Sequence, residues 1–270
     1  MPELPEVENA RSVIDRAALG RRVVDVDDHD RWVCRPHPPG QIKAALLNRE
    51  LTVAHRQGKS MWCETSEDGP ILGIHLGMSG KIVIADPDGT EVDGGDYWER
   101  GRAAGDYRFA RFALEFADGG RLMLIDPRRL GRIRLDPPIE LLGPDATAIT
   151  PAQFRAALAR GTAPVKARLL DQHAIAGIGN LLADDILWRA RVHPGRPVDE
   201  LTPEMVEALL RATRFAIRTT VRDGGVHTLG SLSLRPPEAR CPRDGTPTVQ
   251  GTYGGRTTWW CPLEQKEGPP

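Results

Sequence analysis

Apolar residues recur at spacings of three and four from Val7 through Ala10 and Ile14 to Ala17. This predicts an opening helix with Pro5 in its first turn and Gly20 as its stop. The period then changes. Valine-rich or alternating runs at 21–26, 51–55, 60–64, 71–75, 108–116 and 121–125 predict strands. Glycine turns at Gly58 and at Asp118-Gly119-Gly120 close two hairpins. Residues 85–107, rich in Gly, Asp and Arg, read as a loop or an insertion to which no role is assigned. Residues 136–149, with Pro137-Pro138 and Gly143-Pro144, read as a linker. Beyond them the helical period returns. A short helix capped by Thr150 starts at Pro151 and ends before Gly161, others lie near 165–172 and 181–190, and a longer one runs 203–221 after Thr202. Four helices over this length predict a small bundle. Residues 240–265 read as a hairpin. The expected chain is α+β: a strand-rich domain 1–135, a linker 136–149, a helical domain 150–225 and a hairpin finger 226–265.

Composition narrows the field. A chain of 270 residues, 40% hydrophobic, buries one large core or two modest ones. A formal net charge of -1 argues against a uniformly basic nucleic-acid binder, yet the charge is uneven. Arg128-Arg129 with Arg132 and Arg134, and the arginines from Arg211 to Arg222, each form a local positive strip. No stretch has the length and apolarity of a membrane span, and the start lacks the pattern of a signal peptide, so a cytoplasmic protein is expected. Four scattered cysteines do not make a disulfide scaffold, in keeping with a reducing compartment.

The candidate chemistry sits at the amino terminus. A small residue at position 2 permits removal of Met1, which leaves Pro2 with a free secondary amine. An α-amino group has a pKa of about 7.7 to 8.0 against about 10.4 for lysine, so part of it is neutral near neutrality. Attack of that amine on an aldehydic carbon gives an iminium ion, which drives elimination at the neighbouring carbon. Glu3, next in the chain, is suited to proton transfer.

Met1-Pro2-Glu3-Leu4-Pro5-Glu6-Val7-Glu8 resembles the signature start of the formamidopyrimidine-DNA glycosylase and endonuclease VIII family. Three further stretches resemble the same family in the same order: His75 to Gly80, Asp126 to Gly131, and Gly177-Ile178-Gly179-Asn180. The resemblance implies an N-terminal β-sandwich carrying the terminal helix, a helix-two-turn-helix domain and a C-terminal β-hairpin finger, with DNA in the cleft between. It implies catalytic roles for Pro2, Glu3, Lys59 at the tip of the Gly58 turn, and the finger arginine Arg256. Met78 and Arg128 would fill the gap left by a base rotated out of the duplex, and Leu130 stands where the family usually has phenylalanine. His75, Gly179, Asn180 and Lys166 would contact DNA, the glycines by letting the backbone approach a phosphate and Asn180 and the next helix start by donating to it.

In the tail, Cys241-Pro-Arg-Asp244 and Cys261-Pro-Leu-Glu264 keep the spacing of a four-cysteine zinc site but put carboxylates at the second and fourth positions. A metal-free hairpin held by Trp259 and Trp260 is favoured, with no cofactor, and zinc on Cys241, Asp244, Cys261 and Glu264 stays the alternative. The connection 224–239 is short for the lesion-covering loop of enzymes that recognise oxidised guanine. The implied function is a monomeric bifunctional glycosylase and abasic-site lyase acting on duplex DNA that contains oxidised bases or abasic sites. A non-catalytic damaged-DNA-binding relative and an amino-terminal-proline tautomerase remain as alternatives.

Overall fold

The apolar stripe at the amino terminus forms helix α1 (Leu4–Ala17), which buries Val7, Ala10, Val13 and Ile14. Beyond it Gly20 has φ +73°, a left-handed conformation that glycine adopts without a Cβ clash. The computed structural model describes residues 2–95 and 105–267. The chain divides into two compact units. One comprises Pro2 and Glu6–Glu140, the other Glu3–Pro5 and the chain from Leu141 onward.

The first unit is a β-sandwich. Its strands are β1 (Val23–Asp27), β2 (Leu51–Gln57), β3 (Ser60–Thr65), β4 (Leu72–His75), β5 (Lys81–Ala85), β6 (Glu91–Gly95), β7 (Ala110–Phe116), β8 (Arg121–Ile125) and β9 (Arg132–Leu135), with a short helix α2 (Gln41–Leu46) between β1 and β2. One antiparallel sheet has the order β1-β7-β8-β5-β6, the other β2-β3-β4-β9. Ile82, Phe112, Leu114 and Leu124 from the first sheet and Met61, Leu72, Ile74 and Ile133 from the second share one buried cluster with Val7 and Ile14 of α1. Continuous burial of an apolar face from each layer is the main stabilising term of such a stack.

Part of the segment expected as a loop is a hairpin. Residues 86–90 turn between β5 and β6, with Asp86 N donating to Thr90 O, while 96–104 lie outside the described residues. The strand is hidden in the sequence by Gly94-Gly95. A Cβ at Gly94 would stand 2.9 Å from the Ala10 Cα of α1, so the strand passes too close to the helix for any side chain. Strand β9 was also not expected, although Arg132 and Arg134 alternate with the apolar Ile133 and Leu135.

The second unit holds α3 (Pro151–Leu158), α4 (Val165–Leu170), α5 (Asn180–Ala190), α6 (Pro203–Arg222) and the hairpin β10 (Val249–Tyr253) with β11 (Arg256–Trp260). Thr150 and Gln153 cap α3 reciprocally, and the Thr202 hydroxyl accepts from Met205 N at the start of α6. Phe154, Leu169, Leu182, Ile186, Leu209 and Ile217 form its core together with Leu4. The expected linker is divided: Asp136 N donates to Ile71 O in the first unit, while Ala146 and Ile149 lie in the second core. Residues 226–234 form two 3-10 turns, and Ser231 N donates to the Asp185 carboxylate of α5. No helix among the described residues is long and apolar enough to cross a membrane.

Candidate functional site

Glu3 is fully buried, and its carboxylate sits on the start of α5. It accepts the backbone N–H groups of Gly179 (3.1 Å), Leu181 (2.8 Å) and Leu182 (3.1 Å). These are donors that a helix start leaves unpaired, at the positive end of its dipole, so an anion is held there. The glycines make the approach possible. A Cβ on Gly179 would lie 2.2 Å from Glu3 Cδ, and one on Gly177, whose φ is +114°, would lie 2.5 Å from Leu4 Cδ1. Three of the helix-start N–H groups expected to meet a DNA phosphate are thus taken by the chain's own carboxylate, and the glycines make room for Glu3 and Leu4. Pro2, one residue earlier, is buried just ahead of α1.

In the first unit Lys59 follows Gly58, whose φ of +60° makes the β2–β3 turn. Arg56 fixes this turn to α1: its Nε donates to Glu8 at 2.8 Å and its Nη1 to Gly58 O at 3.1 Å, and Arg11 donates to the same Glu8. Burial pulls the Glu8 carboxyl upward, but the hydrogen bonds from Arg11 and Arg56 outweigh it and hold the group below its ordinary value. Register pairs Ser60 with His75, which brings Lys59 near the imidazole. His75 Nδ1 accepts the Gly77 N–H at 3.0 Å. Lost hydration and then the Lys59 charge lower the His75 pKa.

The two loops expected to act as a wedge in the duplex, His75 to Gly80 and Asp126 to Gly131, are joined. Gly77, at φ +64°, lies so close to the other loop that a Cβ would meet the Leu130 carbonyl carbon at 2.4 Å. The buried Asp126 accepts from Ser79 Oγ (2.6 Å) in one loop and from Arg128 N (3.1 Å) and Gly131 N (2.7 Å) in the other. Met78, Arg128 and Leu130 are all exposed on these loops. Asp126 was not singled out in the sequence, though an Asp-Pro turn start is its signal.

In the finger, Gly254 (φ +59°) and Gly255 (φ +69°) form the tight turn that exposes Arg256 at the head of β11. Lys166, expected to contact DNA, is instead completely buried. Its ammonium donates to Asp184 (2.5 Å), Thr258 Oγ1 (2.7 Å) and Thr257 O (3.3 Å), so it anchors the finger strand and does not face a phosphate. Asn180 Nδ2 donates to the same Thr257 O, and Arg235 holds the other Asp184 oxygen. Burial pulls Lys166 below and Asp184 above their ordinary values, while each charge opposes the other's shift. Neither Asp184 nor Thr258 carried a signal in the sequence.

Cys241, Asp244 and Cys261 bring a ligand atom each within 4.8 Å of one another, a group that could hold a metal ion. The fourth position does not join them. Glu264 is engaged by Arg191 (2.9 Å) and Arg243 (3.1 Å). Cys261 Sγ donates to Asp244 at 3.3 Å.

Residues 1–133 match the formamidopyrimidine-DNA glycosylase N-terminal domain, and residues 142–230 match the H2TH domain of the same enzymes. A formamidopyrimidine-DNA glycosylase of a Nocardioides species is 35% identical over 98% of this chain and 94% of its own. The chain belongs to the formamidopyrimidine-DNA glycosylase family. An Arabidopsis thaliana member is 33% identical over 98% of this chain and 71% of its own. Among solved structures, Lactococcus lactis Fpg with DNA containing an oxidised pyrimidine superposes with a TM-score of 0.82 at 25% identity, covering 98% of this chain and all of that one. MutM with DNA containing carbocyclic 8-oxo-G gives the same score, identity and coverage.

Proposed function

We propose that Pro2 is the nucleophile of a bifunctional reaction in which a damaged base is excised and the strand is then cleaved at the abasic site. As a family member the chain is a DNA glycosylase of base excision repair that acts on oxidised bases in duplex DNA. The Pro2 amine attacks the sugar C1′, the base leaves, and the resulting iminium draws electrons from C2′ so that the 3′ phosphate is eliminated. Glu3 carries protons at the sugar, Lys59 adds positive charge, and Arg256 grips the phosphates. Met78, Arg128 and Leu130 fill the vacated stack. Solved relatives hold DNA with an abasic site, an oxidised pyrimidine or 8-oxo-G, which supports damaged duplex as the substrate and leaves both lesion classes open to this chain.

The observation that carries this reading is the buried Glu3 carboxylate on three backbone N–H groups, beside the residue that offers the amine. A helix start fixes a proton-transfer group in one orientation. The finger works without zinc in this reading, since Glu264, at the fourth ligand position, is held by arginines. A cytoplasmic, nucleoid-associated location goes with such a substrate.

Borohydride trapping tests the proposal. Protein processed to Pro2 should form a covalent adduct with abasic-site DNA, mapped to Pro2 by mass spectrometry. Protein with an extra residue before Pro2 should bind the same duplex but give no adduct. Trapping that persists in the blocked protein overturns the assignment and points to Lys59.

A further inference from the structure

The arginines of α6 take no part in the site described above, yet they form a built surface. Arg211, Arg214 and Arg218 lie at spacings of three and four on its exposed side, and Arg222 continues the line. After Glu207 the helix carries no acidic residue, and the next is Asp223. Arg211 meets Glu207 at 3.5 Å and Arg222 is paired with Asp223. Arg214 and Arg218 have no carboxylate in ion-pair range among the described residues, in a chain whose net charge is -1.

These arginines border a groove of about 570 Å³ together with Arg189, Arg243, Ala208, Ala212 and Phe215. Phe215 is 43% exposed, with the Arg189 guanidinium 4.5 Å from its ring centre. Arg243 is stacked over Trp188 at 3.9 Å. Arg189 donates to Asp185, and Arg243 to Glu264 and the Trp188 carbonyl, which leaves Arg214 and Arg218 as the groove's guanidinium groups for bidentate pairing with carboxylates. A second hollow of about 440 Å³ beside Ile217 and Val221 extends the surface along the helix. Arg189 lies about 13 Å along α5 from its Glu3-binding start, at a rise of about 1.5 Å per residue.

We infer that this surface docks an acidic peptide segment of a partner protein, one that places an aromatic or large apolar side chain against Phe215 with carboxylates on either side. Charge complementarity calls for an anion at Arg214 and Arg218. The apolar part of the groove then selects a peptide over a nucleic-acid backbone, which has sugar and phosphate but no side chain to fill it. Solvent-exposed cations with no carboxylate partner add attraction and rate to such a complex, and the aromatic contact adds its lifetime.

A fluorescein-labelled peptide of aspartates and glutamates around one phenylalanine, followed by fluorescence polarisation, tests this on the full chain. It should bind with strong salt sensitivity. The double substitution R214E/R218E should weaken binding about tenfold or more. That variant should keep its circular dichroism spectrum and its excision of a damaged base. Phe215→Ala should weaken this peptide but not one with alanine in place of phenylalanine. Absence of binding, or equal binding by the charge-reversed protein, overturns the proposal. Displacement of the peptide by undamaged duplex, or loss of duplex affinity in R214E/R218E, overturns it as well, because the strip would then belong to the DNA footprint.

Discussion

The carboxylate of Glu3 fills the space in which Gly179 would carry a side chain: an added Cβ would stand 2.2 Å from Glu3 Cδ. Gly179 itself has extended backbone, φ -111° and ψ -168°, which alanine adopts without strain. Gly179→Ala therefore tests the contact alone. The variant has to displace Glu3 from three N–H donors, and the loss of charge-assisted hydrogen bonds should cost about 3 kcal/mol of stability. Base excision should fall about 100-fold or more if Glu3 carries the proton. Denaturant unfolding and single-turnover excision measure the two. A variant as stable and active as the parent would mean that Glu3 does not need this seat.

Glu8 gives a pH-dependent prediction. Its folded value lies below the ordinary 4.5 because the bonds from Arg11 and Arg56 overcome burial. A depressed carboxyl contributes stability that is present above 4.5 and is lost as the pH falls through its folded value. Glu8→Gln should lower stability at neutral pH by about 1 to 2 kcal/mol. The two unfolding curves should converge in acid. A gap that stays constant down to low pH would rule out the linkage. The turn that carries Lys59 should loosen as well, since Arg56 bonds both Glu8 and Gly58.

The wedge loops predict a split between substrates. Met78→Ala and Arg128→Ala should slow excision from paired duplex more than cleavage at a ready-made abasic site, where no base has to be extruded. Asp126→Asn should resemble the two together, because its oxygens hold both loops. Equal losses on the two substrates would contradict the assigned roles.

Much of the fold was legible because its signals are local. The periods of α1, α5 and α6, the Thr150 and Thr202 caps and the glycine turns each depend on a few neighbouring residues. Strand β6 was not legible, since Gly94-Gly95 reports a close approach to Ala10 that only the folded chain creates. The site divides in the same way. Pro2, Glu3, Lys59 and the wedge residues stand in contiguous motifs. What holds them does not: Glu3 reaches across the chain to Gly179, and Lys166 to Thr258. Lys166 reads as a DNA contact because a lysine in sequence carries no mark of burial, whereas Asp184 and Thr258 are what permit it.

Metal content should be low. Purified protein is expected to hold well under one zinc per chain, and a chelator should leave duplex binding unchanged. Glu264 sits on Arg191 and Arg243, which leaves three donors where a structural site takes four. Stoichiometric zinc by elemental analysis would show that the three converging groups suffice or that another ligand completes them.

Lys166 should prove a positioning residue and not a DNA contact. Its ammonium joins α4 to Asp184 of α5 and to Thr258 of β11, two residues beyond the exposed Arg256. Lys166→Met keeps the length of the side chain but leaves the buried Asp184 with only Arg235 and the Trp259 backbone. Removing one partner of a buried pair should cost about 3 to 5 kcal/mol. If the lysine touched a phosphate, its loss would flatten the salt dependence of DNA binding by about one counterion. The buried arrangement predicts the opposite: the salt slope stays that of the parent, while thermal stability drops and strand cleavage weakens as Arg256 loses its support. Salt titrations of parent and variant on one abasic duplex, run below the variant's melting temperature, separate the two. A reduced slope with unchanged stability would return Lys166 to the DNA interface.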